Sequence, residues 1–347
     1  MKKLIVIAAV TLFTAFSLFA QDYKQVADGI EYAELLRGTE KEPVRMNLLR
    51  LDLTKVRIDV VHALDAAIGL EKPSSMAVRH GAIAAVNAGF FKMTGLYNGD
   101  ATGLLQVDGK VLSETFGNRA ALAVSNKPDR TEASIDRFTD TRELIIAGSK
   151  AKLAVDGLNS QRGDNQLIVY TPEFTRTTLT NTQGAEIVVR NGVVREIRDG
   201  QGSSRIPDDG FVISAHGTAR ERVLREIKKG GKVDLKIVVK PVDSTGAAQR
   251  TFEDMIGGVP TLIRKGKLEV SWKEEKSSKA FVETKHPRTA VAILKDGKLL
   301  LVTIDGRQPT HSVGIGLDEL AVLLLELGAV DAMNLDGGGS TSMFLDG

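Results

Sequence analysis

Short apolar runs separated by turn signals dominate the chain and predict a protein made largely of β-strands. Residues 44–53 and 56–61 have the alternation and the β-branched content that are typical of strands. Three further pairs of apolar runs each flank an Asp-Gly or Asn-Gly dipeptide, which is the strongest short-range hairpin signal. The predicted hairpins join residues 103–107 to 111–114, 187–189 to 193–197, and 290–294 to 299–304.

Helical spacing is limited to residues 74–80, 218–229 and 317–327. The last of these is apolar on most sides, so it predicts a helix packed within the protein. Residues 125–140 are polar and are predicted to form a surface loop. Hairpins with few helices argue against alternating βαβ units. The pattern predicts an α+β fold of mixed, largely antiparallel sheets with a few packing helices in one large domain.

The first residues have the pattern of an export signal. Lys2 and Lys3 precede an apolar run at residues 4–19, and Ala20 fits a cleavage point before Gln21. The run is too short to favour a permanent membrane span, although a retained anchor is the alternative. We therefore expect a signal peptide at residues 1–20 and an exported protein, periplasmic or extracellular. Residues 21–80 are expected to form leading strands or a small subdomain, and residues 81–347 the main domain.

Composition narrows the classes of function. The 347 residues contain no cysteine, which excludes disulfides, thiol nucleophiles and thiolate metal sites. The 46 basic and 44 acidic residues are nearly balanced, and they become equal in number once Lys2 and Lys3 are removed. A neutral exported protein is a poor candidate for nucleic-acid binding, so any anion is expected to be recognised locally. The oligomeric state is left open.

The run Asn334-Leu335-Asp336-Gly337-Gly338-Gly339-Ser340-Thr341 is the most informative stretch of the chain. Consecutive glycines let the backbone adopt positive φ and approach a ligand closely. Successive N–H groups in such a turn can form a concave site for an anion. The run surrounds that site with one carboxylate and several neutral polar groups. It therefore predicts a phosphate site beside an acid, and the alternative is a tight turn between a helix and a strand.

Three other clusters are candidates for the same site. Asn87 follows the strand-like residues 82–86 and precedes Gly89, which suggests a turn that exposes its amide, and the alternative is a structural turn with two phenylalanines in the core. Arg288 opens a predicted strand and could present its planar fork to a phosphate or carboxylate, although a lone arginine is usually solvated or paired. Asp305 and Arg307 follow the end of residues 299–304, where they could serve a site or pair with each other.

Several other chemistries find no support in the motifs. His286 and His311 form no zinc pattern with a nearby acid. The chain has no nucleophile elbow, no P-loop lysine and no dinucleotide fingerprint. The sequence requires no cofactor. A divalent cation could be held through Asp305 or Asp336, although no ligand spacing demands one.

Taken in order, these clusters resemble the phosphodiester glycosidase family, whose bacterial members are often described as related to exopolysaccharides. The resemblance rests on VNAGFF at residues 86–91 and on the run of residues 304–343, which contains IDGRQPTHS and NLDGGGSTS. The intervening stretches GLNSQRGDNQLIVYTP, IPDDGFVIS, GGVPTLIRKGK and HPRTAVAIL also contribute. The family resemblance implies hydrolysis of a sugar–phosphate bond at the anomeric carbon of a phosphorylated glycan.

The resemblance also implies roles for individual residues. Asp336 would be the carboxylate at the reacting centre, as nucleophile or as base for water, and Asp305 would position substrate or orient Arg307. The remaining candidates would bind anionic charge or sugar hydroxyls: Asn87, Arg288, Arg307, Asn334, Gly337, Gly338, Gly339, Ser340 and Thr341. The leaving group would be a phosphate monoester, which is weakly basic, so strong proton donation is less necessary than for an ordinary sugar.

Two alternatives to this function stay open. The same groups could bind a glycan or a phosphate of the cell envelope without cleaving it, or a phosphodiesterase could cut the P–O bond. One departure from the family pattern concerns the end of the sequence, since Asp346 and Gly347 read as the start of a hairpin turn. We therefore expect a domain truncated at its carboxyl end, either because the sequence is a fragment or because the last strand was lost. In the second case, the strand that begins at Ser342 is expected to lie unpaired at a sheet edge.

Overall fold

The structure is a computed structural model, and it describes residues 22–149, 152–242 and 251–346. The predicted signal peptide lies outside the described residues. The fold is mostly β, with 43% of the chain in strands and 12% in helices, so the predicted α+β class is wrong. The helices are too short and too scattered to form a layer of their own. The sheets instead bury their apolar faces largely against one another.

The strands are numbered in chain order. They are β1 (Lys24–Ala27), β2 (Ile30–Gly38), β3 (Pro43–Leu51), β4 (Ala84–Val86), β5 (Leu105–Val107), β6 (Lys110–Ser113), β7 (Ala120–Asn126), β8 (Thr131–Ile146), β9 (Lys152–Ala154), β10 (Gly157–Leu158), β11 (Leu167–Tyr170), β12 (Gly184–Arg190), β13 (Val193–Asp199), β14 (Gly210–His216), β15 (Val233–Pro241), β16 (Asp254–Gly257), β17 (Thr261–Arg264), β18 (Lys267–Leu268), β19 (Arg288–Leu294), β20 (Leu299–Ile304), β21 (Ala329–Asn334) and β22 (Met343–Leu345). The α-helices are α1 (Pro73–Arg79), α2 (Gly217–Glu226), α3 (Lys279–Glu283) and α4 (Leu317–Glu326).

The strands form three large sheets and one small one. The eight-stranded sheet has the order β1-β2-β3-β20-β19-β21-β17-β18, and the five-stranded sheet has the order β10-β11-β14-β12-β13. The seven-stranded sheet has the order β15-β8-β7-β16-β5-β6, with β9 added beside β8. β22 pairs with β4 as a separate antiparallel ribbon. β2 and β3, which come from the predicted leading segment, thus share a sheet with β20.

The largest apolar core lies between the three large sheets. Leu49 and Val291 from the eight-stranded sheet, Leu122 and Leu105 from the seven-stranded sheet, and Tyr170 from the five-stranded sheet all contribute to it. A second core lies on the opposite face of the eight-stranded sheet, under α4. A third core packs α2 against the five-stranded sheet. The eight-stranded sheet is therefore covered on both faces.

All three predicted hairpins are confirmed. β5 pairs with β6, β12 with β13 and β19 with β20, each in antiparallel register. Asp108 and Gly109 both have positive φ, as do Asn191 and Gly192, which is the backbone of a tight primed turn. The helices predicted at residues 74–80, 218–229 and 317–327 correspond to α1, α2 and α4.

Two predicted elements are wrong. Residues 56–61 form no strand, although Val56, Ile58 and Val60 pack against the central core as their alternation indicates. Two of their backbone amides donate to side chains and not to a neighbouring strand: Ile58 N–H donates to Asn126 Oδ1, and Val60 N–H donates to Asp254 Oδ2. Residues 131–146 form the strand β8 instead of continuing the predicted polar loop, because β7 and β15 pair with it on either side.

The expectation of an unpaired strand at Ser342 is also wrong. β22 pairs with β4 in the register Met343↔Val86 and Leu345↔Ala84. This pairing brings the chain that follows the glycine run against the strand that leads to Asn87. Within the described ranges, no helix is both long and apolar enough to cross a membrane.

Candidate active site at a sheet edge

Three segments leave the eight-stranded sheet at the same edge. The register pairs Arg288, the first residue of β19, with Ile304, the last residue of β20. It also pairs Ala290 of β19 with Asn334, the last residue of β21. Because β19 is antiparallel to both neighbours, its start lies beside their ends. The residues before Arg288, those after Ile304 and those after Asn334 therefore converge.

The glycine run forms a tight bend against the segment that precedes β19. Gly338 has φ +62 and donates its N–H to the carbonyl oxygen of Pro287 at 2.9 Å. A Cβ on Gly337 would lie 2.7 Å from that same oxygen, and a Cβ on Gly338 would lie 3.0 Å from Arg307 Nη2. Both positions therefore need glycine, one for close backbone approach and the other for its backbone conformation and the neighbouring arginine.

Most amides of the bend are already bonded within the protein. Gly337 N–H donates to Asp336 Oδ1 at 2.9 Å, and Ser340 N–H donates to the Gly337 carbonyl oxygen at 3.2 Å. Thr341 N–H makes a longer bond of 3.4 Å to the Gly338 carbonyl oxygen. From Gly337 to Thr341, only the amide of Gly339 has no acceptor among the residues that the structure describes. Among the described residues, the bend thus leaves one backbone amide without an acceptor, and not the row of free amides that an anion nest would need.

Asp336 stands immediately before the bend and is partly buried. Burial raises the pKa of its carboxyl group, and hydrogen bonding from the Ser340 hydroxyl and the Gly337 amide opposes that shift. Its backbone is fixed on both sides, since its N–H donates to the Ala88 carbonyl oxygen at 2.8 Å and its own carbonyl oxygen accepts from Asn87. The carboxylate is therefore held at a set position with a weakened preference for the ionised form.

Asn87 is almost fully buried and connects the bend to two other segments. Its Nδ2 donates to the Asp336 carbonyl oxygen at 2.7 Å. Its Oδ1 accepts from the Thr289 hydroxyl at 2.6 Å and from the Ser342 N–H at 3.1 Å. The amide that the sequence suggested would be exposed is used to join β19, the bend and the start of β22.

Arg288 lies behind the bend with its guanidinium buried. It is 2% exposed, and its nitrogens donate to the carbonyl oxygens of Ile315, Phe281 and Thr284 at 2.7–3.2 Å. Burial, with a contribution from the cation Arg307, lowers its pKa to about 10. The group therefore stays charged at neutral pH. It joins α3, the residues before α4 and the sheet edge.

Arg307 is exposed and lies over the bend. Its backbone has φ +61, and its guanidinium is close to Gly338. Its Nε donates to Nδ1 of His286 at 3.4 Å. Among the cationic side chains proposed for the site, Arg307 is thus the one presented to solvent beside the glycines. His286 lies with it, although the sequence alone assigned it no role; its place two residues before Arg288 was the available signal.

Asp305 lies at the same edge but faces another partner. Its Oδ2 lies 3.0 Å from Nε2 of His311, and its carbonyl oxygen accepts from the Ser312 hydroxyl at 2.6 Å. In the described part of the chain, the hydrogen bonds and ion pairs connect Asp305 to neither Arg307 nor Asp336. The structure therefore brings Asp336, Arg307 and the glycines together and places Asp305 in a separate pair.

The other polar residues of the run flank the bend. Asn334 is fully buried, and its Nδ2 donates to the carbonyl oxygens of Val259 and Leu335 at 2.7 Å. Asn334 Oδ1 and Thr341 Oγ1 are buried and have no hydrogen-bond partner among the described residues. Ser340 contacts Asp336, as noted above. Over the same residues, no group of three or more His, Asp or Glu side chains could hold a metal ion.

Comparisons with known proteins show which family the chain is similar to. The sequence model of a family described as phosphodiester glycosidase matches residues 183–347. N-acetylglucosamine-1-phosphodiester alpha-N-acetylglucosaminidase of Mus musculus is 28% identical over 173 residues, which is 46% of this chain and 32% of that protein. The Bos taurus protein of the same name is 36% identical over 108 residues, which is 28% of this chain and 20% of that protein. The chain thus spans a third or less of these relatives.

Two further matches cover more of the chain. An uncharacterised protein of Rickettsia conorii is 22% identical over 254 residues, which is 72% of this chain and 84% of that protein. A hypothetical protein from Synechocystis has a crystal structure that matches with a TM-score of 0.78 and 25% identity, over 92% of this chain and 58% of that one. The structural match shows that the Synechocystis protein shares this fold over 92% of the chain.

The residues matched by the family model include the glycine bend and three of the candidate site residues, Arg288, Asp305 and Arg307. VNAGFF at residues 86–91 and GLNSQRGDNQLIVYTP at residues 157–172 precede them. The resemblance inferred from the sequence is confirmed, since residues 183–347 match the sequence model of the phosphodiester glycosidase family and parts of the chain are similar to relatives with that activity in their names.

Proposed function

We propose that this protein is an exported hydrolase that cleaves a sugar-1-phosphodiester bond in a phosphorylated glycan or envelope polymer. The observation that supports the proposal most strongly is the position of Arg307 and Asp336 at one glycine bend. Arg307 Nη2 lies 3.0 Å from where a Cβ of Gly338 would be, and the Asp336 carboxylate begins the same bend. A cation and an acid are thereby held at one partly exposed turn.

The reaction makes two electrostatic demands that these residues can meet. Negative charge collects on the departing phosphate monoester, and positive charge develops at the anomeric carbon. In this proposal, the Arg307 guanidinium and the Gly339 amide bind the phosphate. The Asp336 carboxylate would act at the sugar carbon, as nucleophile or as base for a water molecule. Its raised pKa suits a base, since burial makes the carboxylate a better proton acceptor.

The other predicted site residues have supporting roles in this proposal. Asn87 and Arg288 use their side chains to hold the bend and the sheet edge, as their bonds to protein carbonyl oxygens indicate. Asp305 orders the segment that follows Arg307 through His311 and Ser312. Asn334, Ser340 and Thr341 line the bend. The Thr341 hydroxyl is buried and has no hydrogen-bond partner among the described residues, so we assign it no contact with the substrate.

Hydrolysis in ¹⁸O-labelled water tests the reaction type. We would assay methyl phosphodiesters of α-N-acetylglucosamine and α-glucose and locate the label by mass spectrometry. Label in the sugar supports cleavage of the C–O bond. Label in the phosphate would instead identify a phosphodiesterase that cuts the P–O bond, and binding of the diester without turnover would identify a glycan-binding protein. Sequencing the amino terminus of the secreted protein tests export and cleavage after Ala20.

A further inference from the structure

The backbone of His286 is fixed at the sheet edge. Its N–H donates to the Ile315 carbonyl oxygen at 3.4 Å, and its carbonyl oxygen accepts from the Ile315 N–H at 3.2 Å. Gly314 packs so closely that a Cβ there would lie 2.6 Å from the His286 carbonyl. The imidazole is therefore attached to a rigid support, whereas Arg307 stands on an exposed loop.

The contact between the two side chains identifies the imidazole tautomer. Nε of an arginine always carries a hydrogen, so it is the donor in the 3.4 Å contact with His286 Nδ1. Nδ1 must then be unprotonated to accept. The hydrogen of the neutral ring is assigned to Nε2 on this basis.

The charges around His286 favour that neutral form. Partial burial, together with the nearby cations Arg307 and Arg288, lowers the pKa of His286 below its ordinary value. Lys285 adjoins it in sequence, but its ammonium pairs with Glu42 at 2.9 Å. The carboxylate of Asp305 is paired with His311. The ring is thus neutral at pH 7 and able to accept from Arg307.

We infer that His286 is a positioning residue whose unprotonated Nδ1 holds the Arg307 guanidinium over the glycine bend, and that protonation of the ring releases it. Protonation replaces the acceptor with a second donor and adds a positive charge beside a guanidinium. Both effects push Arg307 away from the bend. This inference rests on the proposed role of Arg307 as the group that binds the phosphodiester.

Anion affinity is therefore expected to fall at acidic pH through Arg307, while the fold stays intact. If Arg307 is held by this bond, losing it should weaken binding of a phosphodiester by about tenfold, the effect of one hydrogen bond to a charged group. In catalysis the effect should appear mainly in KM, because His286 orients a binding group and does not touch the reacting atoms.

The test uses dimethyl phosphate, a diester anion whose charge is constant between pH 4.5 and 8. Its binding to the full chain would be followed by the NMR shift of the Arg307 Nε–H, with ¹⁵N spectra of the imidazole recorded on the same samples. His286→Asn places an amide oxygen near the position of Nδ1 and cannot titrate. His286→Leu has a similar size but no acceptor. Circular dichroism confirms that each variant is folded.

The inference predicts a specific pattern across these proteins. The wild type should show an unprotonated Nδ1 at pH 7 and lose about tenfold in affinity as His286 titrates. The Asn variant should bind as the wild type does at pH 7 and show no such loss, and the Leu variant should bind weakly throughout. A protonated Nδ1 at pH 7, an equal acid loss in the Asn variant, or unimpaired binding by the Leu variant would overturn it. If this pattern holds but no diester is hydrolysed, the proposed function fails and the positioning role stands.

Discussion

The Nδ2 amide of Asn87 donates to the backbone carbonyl oxygen of Asp336 across a sequence separation of 249 residues. The same side chain accepts from Thr289 and from the N–H of Ser342. One buried side-chain amide thus links three segments: the strand β19, the residue that carries the candidate carboxylate, and the start of β22. The position of Asp336 depends on a residue that lies far away in the sequence.

Replacing Asn87 with alanine is expected to destabilise the protein by about 2–3 kcal/mol, because three buried groups lose their partner at once. Unfolding in guanidinium chloride, followed by fluorescence, measures this change in the free energy of unfolding. Thr289→Val is the matched comparison, since it removes only one of the three bonds and should cost about 1 kcal/mol. Equal losses for the two variants would contradict the joining role of Asn87.

Replacing Asp336 with asparagine is expected to lower turnover of a sugar phosphodiester by at least about a hundredfold. The same change should increase stability at neutral pH. The folded pKa of Asp336 lies above its unfolded value, so the wild type loses stability as the pH rises through that interval. The asparagine variant escapes this loss, and the difference in melting temperature should vanish below both pKa values. Near-normal turnover would reject Asp336 as the reacting carboxylate.

Asp305 should matter much less than Asp336. Its carboxylate is paired with His311 at 3.0 Å, and it acts in the proposal only by ordering the segment after Arg307. We expect Asp305→Asn to lower kcat by less than about tenfold, the scale of one or two weakened contacts. The check is steady-state kinetics of both variants on the same diester. A loss as large as that of Asp336→Asn would move Asp305 into the reacting centre.

Gly338 and Gly339 provide a matched pair at the bend. Gly338→Ala forces an L residue to φ +62 and places a Cβ against Arg307, which should cost about 1–2 kcal/mol and displace the guanidinium. A Cβ at Gly339 meets nothing within 4 Å. The unfolding free energy of Gly339→Ala should therefore stay close to that of the wild type. Equal destabilisation would show that the bend is strained as a whole.

The two arginines should respond differently to replacement by lysine. Arg288→Lys cannot reach all three carbonyl oxygens and should destabilise the fold by about 2 kcal/mol or more. Arg307→Lys should change stability by no more than about 0.5 kcal/mol, because the side chain is exposed. It should nevertheless weaken dimethyl phosphate binding. Thermal unfolding and the NMR titration separate the two effects, and a stability loss shared by both would contradict this division.

The sequence was sufficient for the parts of the site that depend on local chemistry. The three hairpin turns, the helix α4 and the glycine bend beside Asp336 each follow from residue types at short spacing. The sequence also predicted that Asp305 and Arg307 lie at a strand end near the bend. The register of β19 with β20 and β21 agrees with this prediction, because it puts the ends of β20 and β21 side by side.

What could not be predicted depends on contacts between distant segments. Arg288 was predicted to bind a ligand, but its guanidinium donates to backbone carbonyl oxygens, one of which belongs to α3. The sequence did not reveal this partner, because α3 has only five residues and leaves no clear periodic pattern. Asn87 looked exposed, because the return of the chain at Ser342 cannot be read from residues near position 87. The fold class was wrong for the same reason, since alternation indicates strands but not which sheets cover one another.

The pairing of β22 with β4 has a consequence for the order of events in synthesis. The candidate site needs Asn87, the strand β19 and the residues around 336–345 at the same time. A nascent chain that has reached residue 300 contains the strands of the five- and seven-stranded sheets, but it lacks β21, most of β20, Arg307 and the glycine bend. Contacts this remote in sequence also form slowly. The first sheets can therefore form before the candidate site is complete, and partly synthesised chains should be inert toward phosphodiesters.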